Sequence, residues 1–223
     1  MIIYKNLVIL GTSHISAQSI KEVRQYLTIN NPDLVALELD VNRFTALTNK
    51  EAKGSSLELL IQLGLIPFIL SKIGQKIQKE LGKMVGVDPG SEMLEAVKIA
   101  QEKKISIVLI DQDIRVTLKK LAKKITLREK FRFLLDLITS PFSKEAKIKI
   151  DLTKVPERDL IDHIIKKIKK RYPSFYKVLI EDRNKILAKN LYNLNLTPKR
   201  EIFVIVGAGH ISGLLEELKK MGY

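Results

Sequence analysis

At 223 residues, with 45% hydrophobic side chains, the chain is long enough to bury the core of one large domain. It contains no cysteine, which excludes disulfides, thiolate metal sites and a cysteine nucleophile. Lys and Arg outnumber Asp and Glu by 39 to 25, so the net charge of +14 favours an acidic partner or an anionic surface.

The N-terminal segment predicts a buried strand that leads into a histidine. The run "LVILG" at 7–11 has the length and composition of a buried strand, and "GTSHIS" at 11–16 places His14 just beyond it. We expect Gly11 to let the chain turn tightly off this strand. The start "MIIYKNLVIL" has no basic segment followed by a long apolar stretch, so we expect no signal peptide.

The second predicted strand ends in carboxylates. A helix over 17–29 separates "LVALEL" at 34–39 from the first strand, and another helix is predicted over 41–50. Glu38 lies inside the apolar run, where an unpaired carboxylate would be costly to bury. It therefore needs a cation, and a metal ion, Arg43 or Arg183 could serve.

The segment 55–87 is predicted to be largely helical, with an apolar run at 57–70. That run has 14 residues, whereas a membrane-spanning helix needs about 20. We therefore interpret it as a buried or surface-docking helix that could supply an interface between subunits. A further helix over 91–103 is expected to have Ser91 as its N-cap.

The third predicted strand, "ISIVLID" at 105–111, is followed by a long helical and basic segment. Asp111 is either a site residue or a cap, and Asp113 is expected to be a cap. Helical patterns fill 114–197, and 114–172 holds 18 basic against 7 acidic residues. This patch suits an anionic membrane surface, or it is a solvated lysine-rich face. With few aromatic residues interleaved, nucleic acid is disfavoured.

The last third of the chain supplies an arginine and a second histidine. In "EDRNKILAKNL" at 181–191, Arg183 is either a surface ion-pair residue or points into a site to hold a carboxylate. The strand "IFVIVG" at 202–207 runs into "GAGHIS" at 207–212, which repeats the frame of the first motif around His210. His163, among charged residues on a helix, is expected at the surface.

Strands that alternate with helices predict an α/β fold with a mostly parallel central sheet built from both ends of the chain. The carboxyl ends of parallel strands meet at one edge, where ligand sites lie. Two histidines and Glu38 at such an edge suit Mn, Fe, Co or Zn, which would activate water for hydrolysis. A metal-free site with a histidine as general base fits equally well.

Taken together, these motifs resemble the TraB family, which includes the pheromone-shutdown protein. That family belongs to a wider set with the Tiki proteases and the erythromycin esterases. The resemblance rests on motifs that come in the family order over nearly the whole chain: "GTSHIS", "LELDVNRF", "PGSEMLEAV", "LIDQDI", "EDRNKILAKNL" and "VGAGHISG".

The resemblance implies one site that contains both histidine motifs and, by analogy with the Tiki branch, metal-dependent proteolysis with Mn or Co. The residues that match are His14, Glu38, Arg43, Glu92, Asp111, Arg183 and His210, of which His14, His210 and Glu38 would bind the metal. Two positions depart from the family pattern, since Asp182 stands where Glu is common and Gln112 where Arg is frequent.

We therefore expect a single α/β domain over 1–223, with helical insertions at about 55–87 and 114–197 that form a cap or an interface. The expected activity is that of a metal-dependent hydrolase, a peptidase, acting on a peptide or small molecule. The alternatives are a non-catalytic protein that sequesters a peptide or haem, and a metal-free esterase-like hydrolase. The expected location is cytoplasmic or peripheral at a membrane.

Overall fold

The computed structural model describes the chain in several stretches. These are 1–13, 16–49, 68, 71–72, 75–76, 79–80, 83, 86–139, 155–194 and 200–223. His14 lies outside the described residues, and so does nearly all of the apolar run at 57–70.

A five-stranded, mostly parallel sheet forms the centre of the α/β fold, as the sequence predicts. Its strands are β1 (Ile2–Tyr4), β2 (Leu7–Thr12), β3 (Leu34–Leu37), β4 (Ser106–Leu109) and β5 (Ile202–Gly207). They are ordered β1-β2-β5-β3-β4, and only β1, which the sequence analysis did not predict, is antiparallel to its neighbour. The first and last parallel strands of the chain are therefore neighbours, with Thr12 paired to Gly207.

Helices surround the sheet and continue through the second half of the chain. They are α1 (Ala17–Ile29), α2 (Val41–Thr48), α3 (Ser91–Glu102), α4 (Ile114–Lys124), α5 (Leu127–Thr139), α6 (Arg158–Arg171), α7 (Pro173–Tyr176), α8 (Asp182–Leu194) and α9 (Ile211–Lys220). A π-helical turn, Lys177–Glu181, leads into α8, and a 3₁₀ turn, Ala208–His210, leads into α9. Within the described residues, no helix has both the length and the apolar character needed to cross a membrane.

The alternation of buried side chains along β2 and β5 gives the sheet two apolar faces. Leu7 and Ile9 pack in one cluster with residues of α8 and α9, whereas Val8 and Leu10 pack in the other with residues of α1 and α3. Parallel strands are covered on both faces in this way because successive side chains point to opposite sides. The two layers of helices leave the carboxyl ends of the strands as the edge where polar groups gather.

The helix at 91 begins differently from the prediction. Gly90, with φ of 84°, is its N-cap, and Ser91 is the first helical residue. The left-handed conformation at this position favours glycine. The Ser91 hydroxyl instead donates to the carbonyl of Asp88. Ser91 is therefore not the N-cap, although the helix lies where the sequence predicts it.

Candidate active site

An arginine from α8 joins the ends of three strands at the carboxyl edge of the sheet. Arg183 Nη2 contacts Glu38 beyond β3 and lies 2.5 Å from Asp111 Oδ2 beyond β4. Its Nη1 lies 3.1 Å from His210 Nε2 beyond β5. The cation that buried Glu38 requires is thus Arg183, which the sequence had left open among three candidates.

Glu38 is held at both carboxylate oxygens and at its backbone. Glu38 is almost fully buried, with 1% of the residue exposed. Oε1 contacts Arg183, and Oε2 accepts a 2.6 Å hydrogen bond from the Gly207 N–H. Its own N–H donates to the carbonyl of Ile205. The carboxylate is therefore held in one orientation by Gly207 at the end of β5 and by Arg183 of α8.

His210 is oriented by Asn184. The ring Nδ1 lies 2.7 Å from Asn184 Oδ1, which can only accept, so Nδ1 carries the proton. Nε2 lies opposite the Nη1 donor of Arg183, and this position favours a neutral ring with an unprotonated Nε2. Nε2 also lies 3.4 Å from Glu38 Oε1. The Nε2 edge of the ring therefore faces both the carboxylate and the guanidinium.

Asp111 and Arg43 complete the polar cluster. The Asp111 Oδ2 atom accepts from Arg43 Nη1 at 3.1 Å as well as from Arg183. Arg43 reaches this position because Asp40 caps α2, accepting from the N–H groups of Asn42 and Arg43. Asp111 thus belongs to this polar cluster, whereas Asp113 is the cap of α4, as predicted.

Burial and charge oppose each other at Arg183. Burial alone would lower the pKa of Arg183, but the negative charges and hydrogen bonds of Glu38 and Asp111 outweigh it and raise the pKa above its ordinary value. The guanidinium is therefore a permanent cation at this edge.

Among the described residues, Glu92, Asp182 and His163 have other surroundings. Glu92, in the first turn of α3, is buried and is linked to the end of β2 by a 3.4 Å contact from Thr12 Oγ1. Asp182 faces away and pairs with Lys124 and Lys177. His163 is exposed, as predicted. His14 lies outside the described residues, two positions beyond Thr12, which pairs with Gly207 of the second histidine motif.

The glycine before the first histidine has a different role from the one predicted. Gly11 is an internal residue of β2, not a turn. A Cβ atom there would lie 2.2 Å from Ile211 Cδ1 and 3.2 Å from the Ala208 Cα. The prediction of a tight turn at Gly11 is therefore wrong. The missing side chain instead lets the segment around His210 pack against β2.

Asn184 is the site residue that the sequence analysis missed. Its side chain is buried, and along α8 it shares a stripe with Leu187, Ala188 and Leu191. An amide in an otherwise apolar helical stripe needs a buried hydrogen-bond partner. That pattern in the sequence could have identified Asn184 as a member of the cluster. Gly213 of α9 makes room for it, because a Cβ at 213 would lie 2.0 Å from Asn184 Nδ2.

The Gly213→Ala variant is expected to displace Asn184 and release His210. The helix propensity of alanine, up to about 1 kcal/mol, offsets only part of the cost of turning the buried amide away from Nδ1. Nitrogen NMR of the imidazoles should then report a mixture of His210 tautomers instead of one. The control is Glu216→Ala, an exposed position of the same helix. An unchanged His210 signal in Gly213→Ala would contradict the role given to Asn184.

The profile of one protein family matches this chain from residue 4 to residue 223, and its description is the TraB/PrgY/gumN family. The chain belongs to that family. An uncharacterized protein of Methanocaldococcus jannaschii is 35% identical over 96% of this chain. TraB domain-containing proteins of Bos taurus and Homo sapiens are 26% and 24% identical over 92% of it. The family resemblance drawn from the sequence motifs is confirmed.

These relatives are longer than the chain. The match covers 53% of the archaeal protein and 60% and 61% of the two mammalian proteins. The similarity is therefore to one region of each relative, the region that in this chain contains the sheet and the cluster around Arg183.

Proposed function

We propose that this TraB-family chain is a metal-dependent hydrolase, with peptides as its substrate class. One observation carries the proposal. His210 Nε2, oriented by Asn184, faces the buried carboxylate of Glu38 at 3.4 Å beside the cation of Arg183. An imidazole, a carboxylate and a guanidinium at the carboxyl edge of a parallel sheet are groups that hydrolytic sites use.

The residues present fit a divalent metal. A metal requires the unprotonated nitrogen of histidine, and a hydrogen bond on the other ring nitrogen is the usual way to fix it. Asn184 makes that bond here, and the donor set of His210 and Glu38 suits Mn, Fe, Co or Zn. Within the described stretches, no group of three or more His, Asp or Glu side chains is arranged to hold a metal. His14, outside those stretches, is the third ligand that we propose.

Bound there, such a metal would supply an activated water molecule for hydrolysis. The protein's own residues then act on the substrate. Arg183 is a fixed cation whose positive charge can stabilise negative charge as it develops on a nearby carbonyl oxygen. Asp111, held by Arg43, keeps the guanidinium in place, and the Gly207 N–H does the same for Glu38.

A metal-free hydrolase is the second candidate, and a separate contact favours it. Arg183 Nη1 lies 3.1 Å from His210 Nε2, so a metal at this nitrogen must compete with the guanidinium. In the metal-free mechanism, Nε2 of His210 accepts the proton of the attacking water.

A measurement of metal content distinguishes the metal-dependent hydrolase from the metal-free one. The purified protein is dialysed against Mn²⁺ or Co²⁺, and bound metal is measured for wild type, His210→Ala and His163→Ala. We expect the wild type and the His163→Ala control to bind alike, and His210→Ala to bind at least about 100-fold more weakly. Equal binding by both variants would remove His210 as a ligand.

Hydrolysis of a fluorescently labelled unstructured polypeptide is then measured with and without a chelator. Turnover that needs the metal supports the leading proposal, and turnover that survives chelation supports the metal-free one. Binding of peptide or haem without any turnover would instead indicate a sequestering protein.

A further inference from the structure

Helix α5 packs with one side and exposes an apolar stripe on the other. Phe133 lies against the rings of Tyr172 and Phe175, with centroids 6.4 Å and 6.2 Å away. Asp136 accepts from Arg171 Nε at 2.6 Å on the same side of the helix. Leu127 and Phe131 lie on the other side, with 81% and 63% of their surfaces exposed, and Leu135 continues the stripe.

The spacing shows that this stripe is a continuous feature of the helix surface. Positions 127, 131 and 135 are four residues apart, so their side chains share one face. In the isolated chain, these leucine and phenylalanine side chains stay in contact with water and therefore gain no hydrophobic stabilisation. They stabilise a bound state only if something apolar covers them.

Basic side chains flank the stripe on both sides. On α5, Arg128 and Lys130 are exposed on opposite flanks of it, and Lys119 and Lys123 are exposed on the preceding helix α4. None of these four makes an ion pair among the residues that the structure describes. By contrast, Lys124 and Arg171 nearby are paired with acidic side chains. On these two helices, therefore, four exposed positive charges are not compensated by ion pairs with described residues.

We propose that α5 is an amphipathic membrane-surface helix, which inserts Leu127 and Phe131 into the interface of an anionic lipid bilayer. Phenylalanine and leucine on one face with Lys and Arg beside them are the features of helices that lie in a lipid interface. Basic side chains near the surface add attraction to acidic headgroups. A neutral apolar partner would not explain the charge, and an acidic polar one would leave the apolar stripe exposed.

Vesicle flotation with the full chain tests this proposal. Wild-type protein is expected to float with phosphatidylcholine vesicles that contain phosphatidylglycerol, and much less with phosphatidylcholine alone. Leu127→Ser combined with Phe131→Ser should lower the partition coefficient by about tenfold or more, since each side chain loses its apolar burial. Arg128→Gln combined with Lys130→Gln should lower it by about tenfold, and added salt should mimic that loss.

The matched control is Ile29→Ser, which removes an equally exposed apolar side chain from the end of α1. It should bind vesicles like the wild type. Circular dichroism and molecular mass in solution are measured for each variant. Equal flotation of the Leu127/Phe131 double variant and wild type, or equal binding to neutral vesicles, would overturn the proposal. So would a wild-type dimer that the double variant converts to a monomer without vesicle binding, because the stripe would then be a subunit interface.

Discussion

The Arg183→Met variant is expected to lower the free energy of unfolding by about 3–5 kcal/mol, which is the cost of removing one partner from a buried ion pair. Arg183 is 15% exposed at its side chain and contacts two carboxylates whose side chains are 2% exposed. Methionine fills similar space but supplies no charge and no donors. For a chain of this size, the loss corresponds to a fall in the melting temperature of about 10 °C.

The measurement is chemical denaturation with a matched control, Arg24→Met. Arg24 forms an ion pair with Glu95 but its side chain is 63% exposed. Its removal should therefore cost much less than the removal of Arg183. Arg183→Lys is expected to be intermediate, because a single ammonium cannot reproduce the forked contacts to Glu38 and Asp111. Wild-type stability in Arg183→Met would mean that the guanidinium contributes no net stabilisation.

The Glu38→Gln variant is expected to lower the proposed hydrolase activity by about 10²–10⁴-fold, the range for loss of a proton-transferring or charge-stabilising group. Glutamine keeps the shape of the side chain and one acceptor. The other side of its amide is a donor, which must face either the guanidinium of Arg183 or the N–H of Gly207. Stability should fall as well, by about 1–3 kcal/mol.

A control variant at a second buried glutamate distinguishes the loss of activity in Glu38→Gln from its loss of stability. Glu129 is 3% exposed at the start of α5 and accepts from the N–H groups of Thr126 and Ser174. Glu129→Gln is thus expected to reduce stability without changing the specific activity of the folded protein. Specific activity that falls equally in both variants would show that burial, and not the position of Glu38 in the cluster, explains the effect.

The parallel strands could be predicted because their composition alone identifies them. The runs at 7–11, 34–39, 105–111 and 202–207 are short, apolar and rich in Val, Ile and Leu, and each overlaps an observed strand. By contrast, β1 has three residues and no buried side chain, so its pairing with β2 depends on the tight turn at Lys5 and Asn6. No pattern within three residues indicates such a partner.

Part of the candidate site could be predicted because some of its residues directly follow the predicted strands. Glu38, Asp111 and His210 each follow a strand, and the rule that parallel strand ends meet at one edge brings them together without further information. Arg183 and Asn184 come from a helix, where the sequence gives only the face, not the neighbour. Their contacts depend on how α8 packs against the sheet and on the space left by Gly213.

By itself, the sequence determined where the buried strands lie and that polar residues follow them. Strands covered on both faces form uninterrupted apolar runs, so both the runs and the polar residues after them can be recognised locally. The tertiary structure decided that β2 and β5, almost 200 residues apart, are adjacent, so that the two histidine motifs leave neighbouring strands. It also decided which cation neutralises Glu38. Strand order and ion-pair partners depend on long-range packing of helices on the sheet, and local composition does not encode that packing.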